Sequence, residues 1–101
     1  MSELAGFQRK YLRALAHPFK PLVQVGQAGV SQAVVDAVVA ALNDHELLKV
    51  RLMRPEDKKG MAEDLASRAG AHLVGLLGHT AILYRRHPEN PQIVLPKRAK
   101  G

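Results

Sequence analysis

The stretch that decides the fold is Leu-Val-Gln-Val-Gly-Gln-Ala-Gly-Val-Ser, residues 22–31. Its first four residues are mostly apolar and include two valines, a composition that predicts a short strand. Gly26 and Gly29 then predict a tight turn, because glycine adopts positive φ angles and lets another backbone come close. Ser31 is suited to cap a helix that starts directly after the turn. The stretch therefore predicts a strand that passes through a Gly-x-x-Gly loop into a helix.

The loop and the start of this helix together form a candidate phosphate site. The first amides of a helix point outward, and the helix dipole favours an anion at that end. The candidate contact residues in this region are Gly26, Gln27, Ala28, Gly29 and Ser31. The two glycines can also be explained by a turn that the fold requires. Both interpretations can hold at once, since such a turn can also contact a phosphate.

The segment before this stretch predicts an amphipathic helix. It ends near His17, because Pro18 disfavours helical geometry in the residue before it. The predicted apolar face carries Leu4, Phe7, Tyr11 and Leu15, with Leu12 at its edge and Arg9, Lys10 and Arg13 on the opposite face. A solvated surface is the simplest interpretation of that basic face.

Downstream of the loop, the helix capped by Ser31 is expected to run to about Asn43, followed by an alternating strand over residues 46–54. Leu48, Val50 and Leu52 are predicted to face the core, and Lys49, Arg51 and Met53 to form an exposed, basic face. A charged connection then leads to a third helix, with Asp57 as its candidate cap and Gly70 as its end.

The last part of the chain predicts a hairpin and a packed tail. Residues 72–77 and 80–84 are extended runs on either side of Gly78-His79, as in an antiparallel hairpin. Ile93 to Leu95 is a short apolar piece expected to pack on the domain. The predicted fold is a single α/β (α+β) domain with the order α-β-α-β-α-β-β and a four-stranded mixed sheet.

Composition favours a polyanionic partner. The chain has 101 residues, a formal net charge of +6 and a sequence pI of about 10.1. The basic excess lies in residues 1–20 and 49–101, whereas residues 21–48 contain three acidic residues and no Lys or Arg. Aromatic residues make up only 4%, which argues against recognition through many stacked bases. With no Cys, no secretory signal and no membrane-spanning run, we expect a soluble, cytoplasmic protein.

Several short motifs, taken in order, resemble the YhbY family, whose domain is also called the CRM domain. The matching pieces are Leu12-Arg13-Ala14-Leu15-Ala16-His17, Lys20-Pro21, Val23-Gln24-Val25-Gly26, Gly29-Val30-Ser31, Leu42 to Val50, Gly78 and Leu83-Tyr84-Arg85. The resemblance implies a fold similar to the C-terminal domain of bacterial translation initiation factor three. It also implies RNA binding, and in the single-domain bacterial members an association with precursors of the large ribosomal subunit. The expected partners are therefore ribosomal RNA and the pre-ribosomal particle.

The resemblance also directs attention to the source of positive charge near the loop. Family members often carry Lys where this chain has Gln27, and a Gln brings no charge. Phosphate attraction would then depend on basic residues elsewhere, and His79 stands where a more basic residue is common in the family. The candidate RNA-binding residues outside the loop are Arg9, Arg13, Lys20, Lys49, Arg51, His79 and Arg85. We expect residues 1–96 to form the RNA-binding domain and residues 97–101 a flexible basic tail.

Nothing in the sequence favours catalysis. Walker-type, His-Glu-x-x-His and Gly-x-Ser-x-Gly motifs are all missing, so we expect no catalytic residues, cofactor, small-molecule substrate or membrane partner. The five His are scattered without the i,i+4 spacing of a helical metal site, and no metal ligands are predicted. Two alternatives stay open, namely a protein–protein interaction module and an RNA-binding protein that acts on structured RNA outside the ribosome.

Overall fold

The computed structural model describes residues 4–26 and 28–97, which form three helices and four strands in the predicted order. The helices are α1 (Gly6–Ala16), α2 (Gln32–His45) and α3 (Lys58–Arg68), and the strands are β1 (Val23–Val25), β2 (Leu47–Leu52), β3 (His72–Leu77) and β4 (Thr80–Tyr84). The predicted α+β fold class with one four-stranded mixed sheet is confirmed. Within these described residues, no helix combines the length and the hydrophobicity needed to cross a membrane.

The sheet has the strand order β1-β2-β4-β3, so β1 and β3 lie at its edges. Strand β1 pairs with β2 in parallel, and Val25 lies beside Leu52. Strand β4 is antiparallel to both β2 and β3, which confirms the predicted hairpin around Gly78-His79. Since β1 and β2 are parallel, their carboxyl ends lie at the same end of the sheet.

Helices cover both faces of the sheet. Helices α2 and α3 pack on one face through an apolar cluster that includes Val38, Leu65 and Leu83. Helix α1 packs on the other face in a second cluster around Leu12, Leu47 and Ile82. Alternating side chains of the strands therefore enter two separate cores, which explains why nearly every residue of β2 is buried.

The buried face of α1 differs from the expected one. Leu12 was predicted at the edge of the apolar face, but it is fully buried, as is Ala16, one turn further along. Tyr11, predicted on that face, is 39% exposed. The helix is rotated relative to the expectation because the small Ala16 side chain allows it to approach the sheet closely.

The residues after β4 fold back onto the domain. Ile93 and Leu95 pack against the cluster beneath α1, which confirms the predicted packed tail. The side chain of Glu46 anchors this segment: its carboxylate accepts hydrogen bonds from the backbone N–H groups of His87 (2.8 Å), Gln92 (2.7 Å) and Ile93 (2.9 Å). The basic tail predicted at residues 97–101 lies, apart from Lys97, outside the described residues.

This anchor also determines the protonation of Glu46. Burial by itself would raise the pKa of the Glu46 carboxyl, but the backbone N–H groups of His87, Ile93 and Gln92 and the charge of His87 lower it, so that the pKa lies below its ordinary value of 4.5. Glu46 also has a positive φ of 59°, an uncommon conformation for a residue other than glycine.

Candidate nucleic-acid interface

Three connections meet at one end of the sheet, which we call the loop edge and define as residues 26–30, 53–57 and 78–79. The connections are tied together through the backbone. The Met53 N–H donates to the Val25 carbonyl at 2.9 Å, and the Leu52 N–H donates to the His79 carbonyl at 2.7 Å. The strand ends from which these connections start are therefore held to one another by backbone hydrogen bonds.

The Gly-x-x-Gly loop forms a closed turn at this edge. The Gly29 N–H donates to the Gly26 carbonyl at 3.0 Å, and Gly29 has a φ of +78°. The Ser31 hydroxyl accepts a hydrogen bond from the Val34 N–H at 3.2 Å, so Ser31 caps α2 as predicted. A methyl group added to either glycine would meet no atom within 4 Å, which shows that the loop faces open space. Gln27 lies outside the described residues, and Ala28 is exposed.

Helix α3 supports the loop from the side. The Arg68 guanidinium donates to the Val30 carbonyl at 2.6 Å and also lies 3.7 Å from the carboxylate of Asp64. Arg68 was not among the predicted site residues. It lies 38 residues along the chain from Val30, and no local pattern joins the two. The contact places a cation directly beside the loop.

Further cations surround the loop edge. Arg51, one of the predicted site residues, is exposed near the end of β2, beside Gln24 of β1 and Thr80 of β4. Arg54 follows in the next connection, is exposed and has a positive φ of 48°. Lys58 and Lys59 are also exposed and occupy the first turn of α3.

Sequence reasoning missed Arg54, Lys58 and Lys59. The available signal was the parallel pairing of β1 and β2, which brings the chain after β2 back to the same edge as the loop. The positive charges of the two lysines are repelled by the partial positive charge at the start of α3. An anion bound at this edge would relieve that repulsion.

Two other predicted residues lie near this surface. His79 is exposed in the hairpin turn, where its carbonyl accepts the hydrogen bond from Leu52. Arg13 crosses from α1 onto β3, donates to the Val74 carbonyl at 2.9 Å and rests on Gly75. Gly75 pairs with Ile82, which lies beside Lys49, so the Arg13 contact lies two residues along the sheet from the row of Arg51 and Thr80.

Lys49 and Arg85 make hydrogen bonds within the protein, away from the loop edge. The expectation of an exposed Lys49 is wrong: the residue is 9% exposed because the end of α1 covers it, and its ammonium donates to the His17 carbonyl at 3.0 Å. The Arg85 guanidinium donates to the Ala69 carbonyl (3.2 Å) and to the Asn43 side chain (2.5 Å), at the opposite end of the sheet.

Arg9 and Lys20 also lie away from the loop edge. The Arg9 side chain donates to the Leu4 carbonyl at 2.5 Å and is half-buried. Lys20 is exposed in the connection between α1 and β1. Of the predicted cations, the loop edge therefore contains His79 and is bordered by Arg51, and Arg13 contacts the sheet two residues further along. Among residues 4–26 and 28–97, no group of three or more His, Cys, Asp or Glu side chains could hold a metal ion.

The sequence of this chain is similar to a known domain family and to named proteins. The model of the CRS1/YhbY (CRM) domain matches residues 4–85. The probable RNA-binding protein YqeI of Bacillus subtilis is 39% identical over 95 residues, which cover 92% of this chain and 99% of that protein. An RNA-binding protein of Haemophilus influenzae is 33% identical over 100 residues, covering 97% of this chain and all of the other.

The fold comparison agrees with the sequence comparison. The solution structure of a hypothetical protein from Staphylococcus aureus, presented there as a candidate RNA-binding protein, superposes with a TM-score of 0.82. The match covers 93% of this chain and 100% of the other at 35% sequence identity. From the family match, the similarity over nearly the full length and the shared fold, we conclude that this chain belongs to the CRS1/YhbY (CRM) domain family.

Proposed function

We propose that this chain is an RNA-binding protein that binds ribosomal RNA and assists assembly of the large ribosomal subunit. The observation that carries the proposal is the end of the sheet where the open backbone of Gly26 and Gly29 lies: exposed Arg51 and Arg54 stand at the end of β2, and exposed Lys58 and Lys59 begin the helix that follows. The names of the relatives as RNA-binding proteins support the RNA part. The ribosomal part rests on the family resemblance.

In this proposal the RNA backbone approaches the loop between Gly26 and Gly29. A phosphate there meets the start of α2, whose dipole attracts an anion, and no side chain at the two glycines keeps it away. Exposed Lys and Arg side chains at the end of β2 and the start of α3 supply the charge that Gln27 does not. Binding is led by phosphate contacts and by the shape of the RNA, so affinity depends on the release of counterions.

The same proposal includes a non-enzymatic role in the cytoplasm, without cofactor or small-molecule substrate. The proposed partner is a precursor of the large ribosomal subunit. Residues 1–96 act as the RNA-binding domain, with residues 97–101 as a basic tail.

The proposal is tested by comparing one double charge variant with one single charge variant as a control. We expect Arg51→Gln combined with Arg54→Gln to weaken binding to a large-subunit rRNA transcript. The slope of log affinity against log salt should become shallower by about 1.4, because each lost phosphate contact accounts for about 0.7 in single-stranded RNA. Arg86→Gln is the matched control, since Arg86 is exposed but follows β4 at the opposite end of the sheet. Mobility shifts at several salt concentrations measure both quantities.

Two outcomes would contradict the proposal. Equal weakening by the control variant would show that total charge, and not the loop edge, determines binding. Affinity that does not change with salt would favour the protein-interaction alternative. Sedimentation of a cell lysate tests the ribosomal part separately: we expect the protein to travel with precursor large subunits, and its absence from them would favour another structured RNA.

A further inference from the structure

A second surface feature lies at the end of the sheet opposite to the loop edge. It is an open groove of about 270 Å³ next to the start of β1. We call it the Phe19 groove and define it by its lining residues Phe19, Lys20, Leu22, His45, Leu47 and Leu48. Two large apolar side chains beside it are unusually exposed, Phe19 at 42% and Leu22 at 52%. Exposed apolar groups clustered around one concavity mark a binding surface more often than single ones do.

The walls of the groove are held in place before anything binds. The Phe19 N–H donates to the Ala16 carbonyl at 2.8 Å, and the Leu22 N–H donates to the Lys49 carbonyl at 3.0 Å. Between these two anchors, Pro21 restricts the backbone further. The buried ammonium of Lys49 fixes the preceding turn through the His17 carbonyl. A ligand would therefore meet a preformed site and cause little loss of conformational freedom.

We propose that the Phe19 groove binds one unpaired base of the same RNA that contacts the loop edge. The inference rests on the proposed function, because it needs an RNA ligand. A base presents an apolar ring face to Phe19, and stacking on an exposed aromatic side chain is a general mode of single-stranded RNA recognition. The polar rim of the groove suits an RNA ligand, because Lys20 and His45 are exposed there and no acidic residue lines the groove.

The groove is large enough to hold a single base. Pockets that hold drug-sized molecules begin at about 300 Å³, and the Phe19 groove lies slightly below that. Two of the other aromatic side chains are not available for stacking on a base. Tyr84 is buried and stacked on His72 at 6.2 Å, and Phe7 is half-buried. Phe19 and Tyr11 are thus the two aromatic side chains available for stacking.

The groove and the loop edge are close enough for one RNA segment. Leu48 lines the groove and Leu52 lies beside the last residue of β1, so the two sites are separated along β2 by about 13 Å, at roughly 3.3 Å per residue. Strand β1, which runs from the groove to the loop edge, is an edge strand of the sheet. A single strand that crosses this edge could place phosphates at the loop and a base against Phe19.

The test compares two RNA octamers that carry the same phosphates, one of adenosine and one of abasic ribose. We expect the protein to bind the adenosine octamer about fivefold tighter or more, the lower end of what one stacked base contributes. Phe19→Leu should bring this ratio close to one and leave the abasic affinity unchanged, because it removes the aromatic ring and keeps an apolar side chain. Tyr11→Leu is the matched control and should preserve the ratio.

The possible results separate this inference from the proposed function. Failure of the large-subunit rRNA transcript to bind would contradict the proposed function, whereas equal binding of both octamers, or binding of neither while that transcript binds, would overturn the base-binding groove alone. A ratio that survives Phe19→Leu would also overturn it, because the bases would then bind elsewhere on the protein. A second measurement uses the unmodified protein. Adenosine 5′-monophosphate should shift the NMR signals of the Phe19 ring and the Leu22 methyl groups, whereas ribose 5-phosphate should leave them unchanged. Equal shifts with the two compounds would contradict base binding.

Discussion

Lys49 and Arg51 show why single residues of a regular strand can have opposite roles. Both side chains lie on the face of β2 that is turned toward α1, and the alternation in the sequence predicts the same exposure for both. The end of α1 covers Lys49 and leaves Arg51 open. The buried ammonium is satisfied by the His17 carbonyl, as a buried charge requires a hydrogen-bond partner.

We expect Lys49→Met to affect stability more than RNA binding. Methionine retains the apolar stem but loses the hydrogen bond to His17, so the free energy of unfolding should fall by about 1–2 kcal/mol. Urea denaturation measures the loss, and titration with RNA measures affinity. A variant of unchanged stability with strongly reduced affinity would show that Lys49 contacts RNA after all.

Glu46 is the residue whose protonation matters most for the tail. Because its pKa is lowered in the folded protein, the ionised carboxylate contributes stability above the ordinary value of 4.5, and this contribution is lost as the pH falls through the lower folded pKa. We expect the amides of His87, Gln92 and Ile93 to be protected from hydrogen exchange at neutral pH and to lose protection below pH 4.5.

A variant provides the control for this pH dependence. Glu46→Gln cannot ionise, and its amide group cannot accept all three hydrogen bonds, so the tail amides should already be less protected at neutral pH. In that variant, protection should no longer change between pH 7 and pH 4. If it changes as in the unmodified protein, another group controls the tail.

At the scale of elements, patterns with a local cause were predicted well. The hairpin over residues 72–84, the Ser31 cap and the Asp57 cap each depend on a few neighbouring residues, and all three are confirmed. The rotation of α1 could not be predicted, because it depends on how closely Ala16 packs against the sheet. Periodicity alone identifies an amphipathic helix but leaves the centre of its buried face uncertain by one residue position.

The Gly-x-x-Gly loop gives a prediction at this scale. Gly29→Val should reduce RNA affinity severalfold and lower the free energy of unfolding by about 1–2 kcal/mol, because valine is strained at a φ of +78°. Gly26→Ala is the comparison: its φ lies outside the left-handed region and the added methyl group meets nothing within 4 Å. Denaturation and RNA titration on both variants separate the effects. A destabilised Gly29→Val that binds RNA normally would exclude the loop from the site.

For the whole molecule, the basic character was evident from the sequence, but the arrangement of the charges was not. The loop edge joins residues from three connections that are far apart in the chain, and Arg68 reaches Val30 across 38 residues. Such proximity follows from strand order and helix packing, which composition does not specify. Conversely, Arg85 lies in a motif shared with the family, yet it holds the ends of α2 and α3 together.

The family match and the folded domain end at different residues, because Glu46 anchors the segment after β4. The similarity that defines the family ends at residue 85, whereas the carboxylate of Glu46 finds its partners at residues 87, 92 and 93. A chain that ended at residue 85 would leave the buried Glu46 carboxylate without its hydrogen-bond donors. It would also expose the apolar surface under Ile93 and Leu95. The folded unit of this protein is therefore longer than the segment that the family model matches.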